Sequence, residues 1–268
     1  MRKLITAVLT LAMTGALIWV PQLSNGATYG SVSHIHDVKV FGDRVLLNTH
    51  EGLYQYQAAN SMKKIGSEDF DVMGLAIFGR TLYASGHPGA TSNLPNPIGL
   101  LSSTDGGKSW KKISLQGKVD FHMLEVGKFD MYGADSTSGQ LMHSSDRGKK
   151  WRKLGENQYS DIAILNAKSG SAYGLRSGSL VRTSDAFTIT VAIKNTLKWS
   201  SVEIIGSTLY ASSGKAIYRS TDNGKSWKKI ATLPAEISSI SFNKEIFVAV
   251  TSSAILISRD GGKRFKSE

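Results

Sequence analysis

The sequence predicts an all-β protein: a six-bladed β-propeller of four-stranded antiparallel blades, preceded by an N-terminal signal peptide. Three observations support this fold class. An eight-residue signature returns at intervals near 40 residues, apolar and polar residues alternate in short segments around each copy, and no long amphipathic helical pattern occurs. Four-stranded sheets repeated radially about an axis leave only short, protected edges, which makes a propeller the natural arrangement.

The N-terminus has the layout of a secretory signal peptide. Arg2 and Lys3 precede an apolar run from Leu4 to Val20, and small residues follow up to Gly26 and Ala27. We therefore expect residues 1–26 to be the signal peptide, cleaved near Gly26 or Ala27, and residues 30–268 to be the propeller. The product is predicted to be secreted or extracytoplasmic. An uncleaved membrane anchor is the alternative, although the run is shorter than the roughly 20 residues that span a bilayer.

Charge and cysteine content limit the possible partners. The chain has no cysteine, so its stability has to come from a packed core. The formal net charge is +11, and loss of Arg2 and Lys3 with the signal peptide leaves +9. Many cations follow the repeated signature and predict a basic rim, suited to an anionic cell-wall or membrane surface. Nucleic acid is not expected, because no aromatic residues are interleaved with these cations.

The repeated signature occurs in four clear copies and one decayed copy. The clear copies occupy 103–110 (STDGGKSW), 144–151 (SSDRGKKW), 220–227 (STDNGKSW) and 258–265 (SRDGGKRF), and the decayed copy begins at Thr183. The aspartate can accept hydrogen bonds from its own turn, the glycines tolerate positive φ, and the final aromatic ring packs on a neighbouring blade. We assign a structural role to the four aspartates, Asp105, Asp146, Asp222 and Asp260.

The sequence pattern of each unit predicts four short strands. In the second unit they are 73–78, 81–85, 99–103 and 109–114, with a tight turn at Gly79. Units begin near His36, Met73, His122, Asp161, Ser200 and Ile237. The last unit is expected to contain its own fourth strand at 263–268, and residues 28–33 are the candidate segment for closing the ring.

The signature resembles the Asp-box, or bacterial neuraminidase repeat, S-x-D-x-G-x-[ST]-W. In that superfamily, which includes sialidases and sortilin-type receptors, the box lies between the third and fourth strands, opposite the binding face. The segments 33–36 (SHIH), 49–53 (THEGL), 85–88 (SGHP), 96–100 (NPIGL) and 120–122 (DFH) are similar to secreted bacterial propellers described as glycosylhydrolase-like. The resemblance implies a six-bladed fold and a ligand site on the face without the boxes.

Five histidines fall in matching places of the first three units. His36 and His122 come early in the innermost strand of their units, and His50 and His87 end the second strand of theirs. His34 lies two residues before His36. The start of the first strand and the end of the second reach the same face of a propeller. We therefore predict that all five imidazoles bind a ligand at one mouth of the central channel. His143 is expected to be a surface residue outside this group.

A divalent transition metal is the cofactor that such residues suggest. Neutral imidazole suits zinc and copper, and carboxylates serve as further ligands. The predicted metal ligands are His36, His50, His87 and His122. The loop 86–99 leaves from the same face, contains four of the five prolines, and is expected to border the site. The alternative is that these side chains merely line a wet channel.

Two classes of function remain open. The first is an exported binding module for a peptide, a protein or an extracellular glycan, similar to sortilin-type receptors and photosystem assembly factors. The second is a glycoside hydrolase or polysaccharide lyase, for which Asp71, Asp120 and Asp161 are the candidate catalytic residues. Sialidase activity is not expected, since no Arg-Ile-Pro motif is present and Arg44 and Arg80 lie in turns on the opposite face.

Overall fold

A computed structural model describes residues 26–28, 32, 34–58 and 61–267. These residues form 24 β-strands in six antiparallel sheets, and no helix occurs among them. Blade 1 contains β1 (Gly26–Thr28), β2 (Ile35–Phe41), β3 (Arg44–Thr49), β4 (Gly52–Tyr56) and β5 (Ser61–Lys64). Blade 2 contains β6 (Phe70–Phe78), β7 (Thr81–Pro88), β8 (Leu100–Ser103) and β9 (Lys111–Ser114). Blade 3 contains β10 (Phe121–Val126), β11 (Met131–Asp135), β12 (Gln140–Ser144) and β13 (Arg152–Glu156).

The second half of the ring follows the same plan. Blade 4 contains β14 (Asp161–Ile164), β15 (Ala172–Arg176), β16 (Ser179–Thr183) and β17 (Val191–Ala192). Blade 5 contains β18 (Ser201–Ile205), β19 (Thr208–Ser213), β20 (Ala216–Ser220) and β21 (Lys228–Thr232). Blade 6 contains β22 (Ile237–Phe242), β23 (Phe247–Thr251) and β24 (Ile255–Ser258), and its fourth strand is reduced to a single bridge between Ile257 and Lys266. The six-bladed propeller predicted from the repeats is confirmed.

Two strand predictions need correction. The inner pair of blade 2 is longer than expected, because β6 and β7 continue pairing through Asp71 and His87 to Phe70 and Pro88. The expected fourth strand of the last unit amounts to the bridge at Lys266, and Glu268 lies outside the described residues. Of the segment 28–33 proposed for ring closure, Thr28 belongs to β1, which pairs with β5 on the outer edge of blade 1, and Val32 packs in the apolar layer between blades 6 and 1; residues 29–31 and 33 lie outside the described residues.

The core consists of six apolar layers, one between each pair of neighbouring blades. The layer between blades 1 and 2, for example, joins Leu46 and Leu53 to Leu75 and Leu82, all of them buried. The layer between blades 6 and 1 joins Val38 and its neighbours to the inner strands of blade 6. Burial of apolar area between sheets therefore closes the ring, which fits a chain that has no disulfide.

The repeated aspartates lie in the turns between the third and fourth strands. In blade 2, Oδ1 of Asp105 accepts hydrogen bonds from the Ser103 hydroxyl (2.7 Å) and the Ser109 amide (3.0 Å), and Oδ2 accepts from the Ser109 hydroxyl (2.6 Å). The decayed copy in blade 4 keeps this pattern, because Asp185 accepts from the Thr183 hydroxyl and the Ile189 amide. These carboxylates hold the turns together.

Candidate functional site

The chain order of strands fixes which face carries the histidines. In a four-stranded antiparallel blade, the first strand begins and the second strand ends on one face, whereas the signature turn between strands three and four lies on the other. His36 and His122 sit at the start of β2 and β10, and His50 and His87 sit at the end of β3 and β7. These four imidazoles therefore lie on the face opposite the signature turns, and the structure divides them into two neighbouring groups.

The first group surrounds Asp71. Nε2 of His36 lies 2.9 Å from Oδ1 of Asp71, and Nδ1 of His50 lies 2.6 Å from Oδ2. The two imidazole rings are nearly perpendicular, with centroids 4.4 Å apart, and His34 packs against both rings at 5.0 and 5.4 Å. We call His36, His50 and Asp71 the first triad; their donor atoms all lie within 4.8 Å of one another.

The second group surrounds Asp120. Nε2 of His87 and Nε2 of His122 lie 2.9 and 2.6 Å from the same oxygen, Oδ2, which also accepts a hydrogen bond of 2.6 Å from the Ser136 hydroxyl. We call His87, Asp120 and His122 the second triad, whose donor atoms again lie within 4.8 Å. Asp120 is buried, whereas the two imidazoles are nearly half-exposed, so the triad opens toward solvent.

The second triad has two features that fit a bound cation. Oδ1 of Asp120 is buried without a hydrogen-bond partner, which is costly for a carboxylate. Nδ1 of His87 lies 3.1 Å from Oδ1 of Asn96, while its Nε2 faces the Asp120 carboxylate. A neutral imidazole carries one proton and can donate to only one of these acceptors. A cation held between Nε2 and the carboxylate leaves the single imidazole proton for Asn96.

The two triads are adjacent because of the register of blade 2. Asp71 of the first triad and His87 of the second are directly opposite each other on β6 and β7. Gly86 makes this pairing possible, since its φ is +148° and a Cβ placed there would lie 2.0 Å from the Asp71 carbonyl oxygen. The inner strands also bulge at His36, Met73 and His122, which turns the same position of three blades toward the channel.

The loop 86–99 is anchored beside the second triad. The amide and hydroxyl of Thr91 donate to Oδ2 of Asp69 at 3.0 and 2.7 Å, and Asn96 reaches His87. The Asn96–Pro97 peptide bond is cis. The loop thus contributes a polar side chain that orients one imidazole of the site.

Neither triad carboxylate has the pKa of a general acid. Burial raises the pKa of Asp71, but hydrogen bonds from His36 and His50 outweigh it and leave the pKa below its ordinary value. The same balance, with hydrogen bonds from His122 and Ser136, lowers the pKa of Asp120. The pKa of His122 is raised, chiefly by its hydrogen bond to Asp120. Both carboxylates are therefore anionic near neutral pH, as metal ligands require.

Asp161, the third candidate catalytic residue, belongs to neither triad, and it lines the same channel cavity as His36 and His122. Its Oδ1 accepts from the Ile162 amide at 2.9 Å and its Oδ2 from the Val202 amide at 2.7 Å. Burial is the main cause that raises the pKa of Asp161 to about 7, and the nearby charge of Glu125 adds to it. Asp161 thus belongs to a second polar cluster, with Glu125, Lys39 and Asp37, in the cavity that His36 and His122 also line.

That second cluster occupies the central channel and was not predicted. Nζ of Lys39 lies 2.7 Å from Glu125 and 3.2 Å from Asp37, and Glu203 faces the same space. Burial disfavours the charge of Lys39, but the carboxylates around it raise the pKa of Lys39 well above its ordinary value. Burial also raises the pKa of Glu203 well above normal. The channel therefore contains one buried cation among several carboxyl groups.

The prediction that His143 is a surface residue was wrong. The side chain is buried and its Nε2 lies 2.8 Å from Oδ1 of Asp130, inside blade 3. Asp130 also accepts hydrogen bonds from Ser169 and the Gly170 amide in blade 4, so this pair links two blades. His143 has a structural environment and does not belong to the site.

Comparison with known proteins agrees with the fold. The BNR/Asp-box repeat model matches residues 218–229, and no curated protein matches the chain. Solved structures similar to it include "YCF48 bound to D1 peptide", with a TM-score of 0.52, 16% identity and coverage of 94% of this chain and 86% of that one. A chain of the nidogen/laminin complex has a TM-score of 0.60, 10% identity and coverage of 83% and 91%.

A third similar structure is the extracellular domain of the putative one-component system BT4673 from B. thetaiotaomicron. Its TM-score is 0.56 at 14% identity, with coverage of 87% of this chain and 34% of that one. At these identities the likeness concerns the fold. The chain therefore has a six-bladed β-propeller fold and carries a BNR/Asp-box repeat. Among the described residues, no helix is long and apolar enough to cross a membrane.

Proposed function

We propose that this protein is an extracytoplasmic binding module that holds a divalent transition metal at the two triads and uses it to bind a ligand. The observation that carries the proposal is the pair of His-His-carboxylate sets, each with its donor atoms within 4.8 Å. Two imidazoles and a carboxylate are a common ligand set for zinc, copper and non-haem iron, and three protein ligands leave a coordination position open for a guest.

The side chains that contact the triad residues support this proposal. Ser136 hydrogen-bonds the Asp120 carboxylate, and Asn96 hydrogen-bonds the outer nitrogen of His87. Metal-binding histidines usually have such a partner, which fixes the ring and its tautomer. The exposed edges of His50, His87 and His122 leave room for a ligand on the solvent side.

A peptide or protein is the ligand class we favour. Propellers similar in fold were solved with the D1 peptide and in a complex with laminin. Their binding surfaces are not transferred to this chain residue by residue, because the identities are low. The exposed cations that follow the signatures lie on the outer strands, where they would attract an anionic cell-wall polymer or membrane surface. The predicted signal peptide at residues 1–26 lies mostly outside the described residues and underlies the proposed export.

Hydrolysis or elimination of an extracellular glycan is the second candidate, and the geometry favours it less. A glycosidase needs one carboxyl group with a raised pKa beside a second carboxylate. The pKa values of Asp71 and Asp120 are both lowered, and Asp161, whose pKa is raised, lies among the channel residues. A lyase that uses a metal-bound uronate and a histidine base would share the proposed metal sites.

Metal titration tests the proposal directly. The untagged protein should bind Co²⁺ with the visible absorption of nitrogen and oxygen ligation, and metal analysis should find up to two ions per chain. His50→Ala should remove one ion and His87→Ala the other, while His34→Ala, next to the first triad but outside it, should keep both. Full metal retention in the double variant His50→Ala with His87→Ala would rule the assignment out.

Ligand class is tested on the same variants. A peptide-array screen with metal-loaded protein should give hits that disappear in the double variant. Turnover in a panel of extracellular glycans that depends on Asp120, but not on Asp161, would instead identify an enzyme.

A further inference from the structure

The fourth strand of blade 4 differs from its counterparts in the other blades. Blades 2, 3 and 5 place a pair of basic residues at the two positions after the signature aromatic: Lys111–Lys112, Arg152–Lys153 and Lys228–Lys229. All six side chains are exposed. The corresponding residues in blade 4 are Val191 and Ala192, and both are exposed too, Val191 by 66%. The apolar pair therefore stands where this protein elsewhere has charge.

Basic residues on an outer strand normally prevent unwanted pairing of its free edge with another strand. Blade 4 lacks this protection on its last strand, β17. The amide of Ile193 donates to the Leu180 carbonyl of β16 at 2.8 Å. Because hydrogen bonding alternates along an antiparallel pair, the N–H and C=O of Ala192 point away from β16, toward the outer edge. That edge offers backbone groups to a further strand.

A groove runs along this edge. It has a volume of about 850 Å³, and its lining comes from β16, β17 and the signature turns of blades 4 and 5. Ile189 and Val191 line it and are the most exposed large apolar side chains among the described residues, at 68% and 66%. In the decayed signature Thr190 replaces the aromatic residue, so no indole fills the space.

The charges around the groove are mainly positive. Arg182, Lys194 and Lys225 line it and are exposed. The one carboxylate of the lining, Asp185, is occupied by its own turn, where it accepts from Thr183 and Ile189. An apolar floor with cations at its margins complements a segment that combines apolar and acidic side chains.

The protein itself provides a precedent for adding a strand. In blade 1, β1 pairs antiparallel with β5 on the corresponding outer edge, in the register Gly26 with Lys63 and Thr28 with Ser61. The outer edge of a blade in this ring can therefore accept a fifth strand.

We propose that the outer edge of blade 4 binds an extended peptide segment of a partner protein, in which apolar and acidic residues alternate, by adding it to β17 as a fifth strand. Main-chain hydrogen bonds to Ala192 supply affinity, and contacts with Ile189 and Val191 and with the surrounding cations supply specificity. This site lies on the signature side of the ring, distinct from the triads.

The test uses a labelled synthetic peptide of about nine residues that alternates valine and glutamate, and fluorescence anisotropy with the full chain. The variant Val191→Lys with Ala192→Lys restores the basic pair of the other blades. It adds positive charge, so simple electrostatic attraction would make it bind the acidic peptide more tightly. Strand addition onto the apolar floor predicts the opposite, a weakening of about tenfold or more, because the contact of the peptide with Val191 is lost.

Two further variants make the result specific. Ala192→Pro removes the outward N–H and should weaken binding similarly, while the urea midpoint shows whether the fold is retained. The matched control Lys111→Val with Lys112→Ala creates an apolar edge on blade 2 and should retain wild-type affinity or add a second site. Equal or tighter binding by the double-lysine variant, or equal binding of a valine–lysine peptide, would overturn the proposal.

Two other results would identify a different occupant of the outer edge of blade 4. Binding to phosphatidylglycerol vesicles that depends on Val191 and Ala192, without peptide binding, would identify a membrane surface and refute a peptide partner. Concentration-dependent dimers that disappear in the double-lysine variant, seen by sedimentation velocity, would make a second copy of the chain the occupant instead.

Discussion

Replacement of Asp161 by asparagine tests the electrostatics of the channel. A pKa of about 7 in the folded chain, against an ordinary value of 3.8, means that folding opposes ionisation of this carboxyl. Below pH 4 the group is protonated in both states, and the unfavourable burial is absent. As the pH rises toward 7, the unfolded chain ionises first, and the free energy of unfolding falls. Above pH 7 the full penalty, about 4 kcal/mol, is present.

Asparagine keeps the size of the side chain and removes the charge. The carboxylate accepts two backbone hydrogen bonds, from the Ile162 and Val202 amides, and asparagine has a single acceptor oxygen. Losing one of these bonds costs about 1 kcal/mol. We therefore expect Asp161→Asn to be less stable than the wild type by about 0.5 kcal/mol at pH 4 and more stable by about 3 kcal/mol at pH 8.

Urea unfolding at pH values from 4 to 8, followed by tryptophan fluorescence, measures the difference in free energy of unfolding between the variant and the wild type. Titrating groups remote from the channel contribute equally to both proteins and cancel, whereas the pKa of Glu203, which the Asp161 charge helps to raise, falls in the variant. The change of sign should occur at about pH 4.5. A difference that stays constant across this range would show that Asp161 ionises normally. A variant destabilised at pH 8 would show that its two backbone hydrogen bonds outweigh the buried charge.

Four further outcomes follow from the structure. Asp105→Asn should lower the urea midpoint at pH 7, and the deficit should shrink as the pH falls toward 3, because the pKa of Asp105 is lowered by its hydrogen bonds to Ser109 and its contribution requires the ionised form. Trp151→Ala should cost about 2 to 4 kcal/mol in urea unfolding, since the indole packs on Phe121. Gly86→Ala should lower the melting temperature and weaken Co²⁺ binding together, measured by calorimetry and absorbance. Zinc at a hundred times its Kd should raise the free energy of unfolding by about 2.7 kcal/mol for each occupied triad, and no such rise should occur when His50 and His87 are both alanine.

The alternation of inward and outward residues explains how much of the fold could be predicted. The strands after each signature repeat the same apolar and basic pattern, so blade number and strand order follow from the sequence. The matching positions of His36 and His122 could also be found by counting from the turns. The bulges at these residues could not, because a bulge depends on the pairing of two strands and leaves no clear local pattern.

The cluster of charged residues in the channel was not predicted from the sequence, although the sequence carried a signal for it. Lys39, Glu125 and Glu203 each stand between two apolar residues on an innermost strand. A single charged residue in such a strand points to a polar channel, although pattern alone does not show that the three meet. His143 shows the opposite limit, because its partner Asp130 lies on a connecting segment whose position only the tertiary structure determines.

The way the ring is joined has a mechanical consequence. Among the described residues, blades 6 and 1 share no strand, and their contact consists of the apolar layer around Val38 with a few hydrogen bonds, such as Asn243 Nδ2 to the Gly42 carbonyl at 2.7 Å. The other five junctions are also crossed by a connecting segment of the chain, so this one, held by side-chain contacts alone among the described residues, should part first when the ring is pulled or heated. Because each sheet is complete in itself, a circular permutant opened between blades 3 and 4 would keep every sheet intact. In that permutant a covalent connection would join blades 6 and 1.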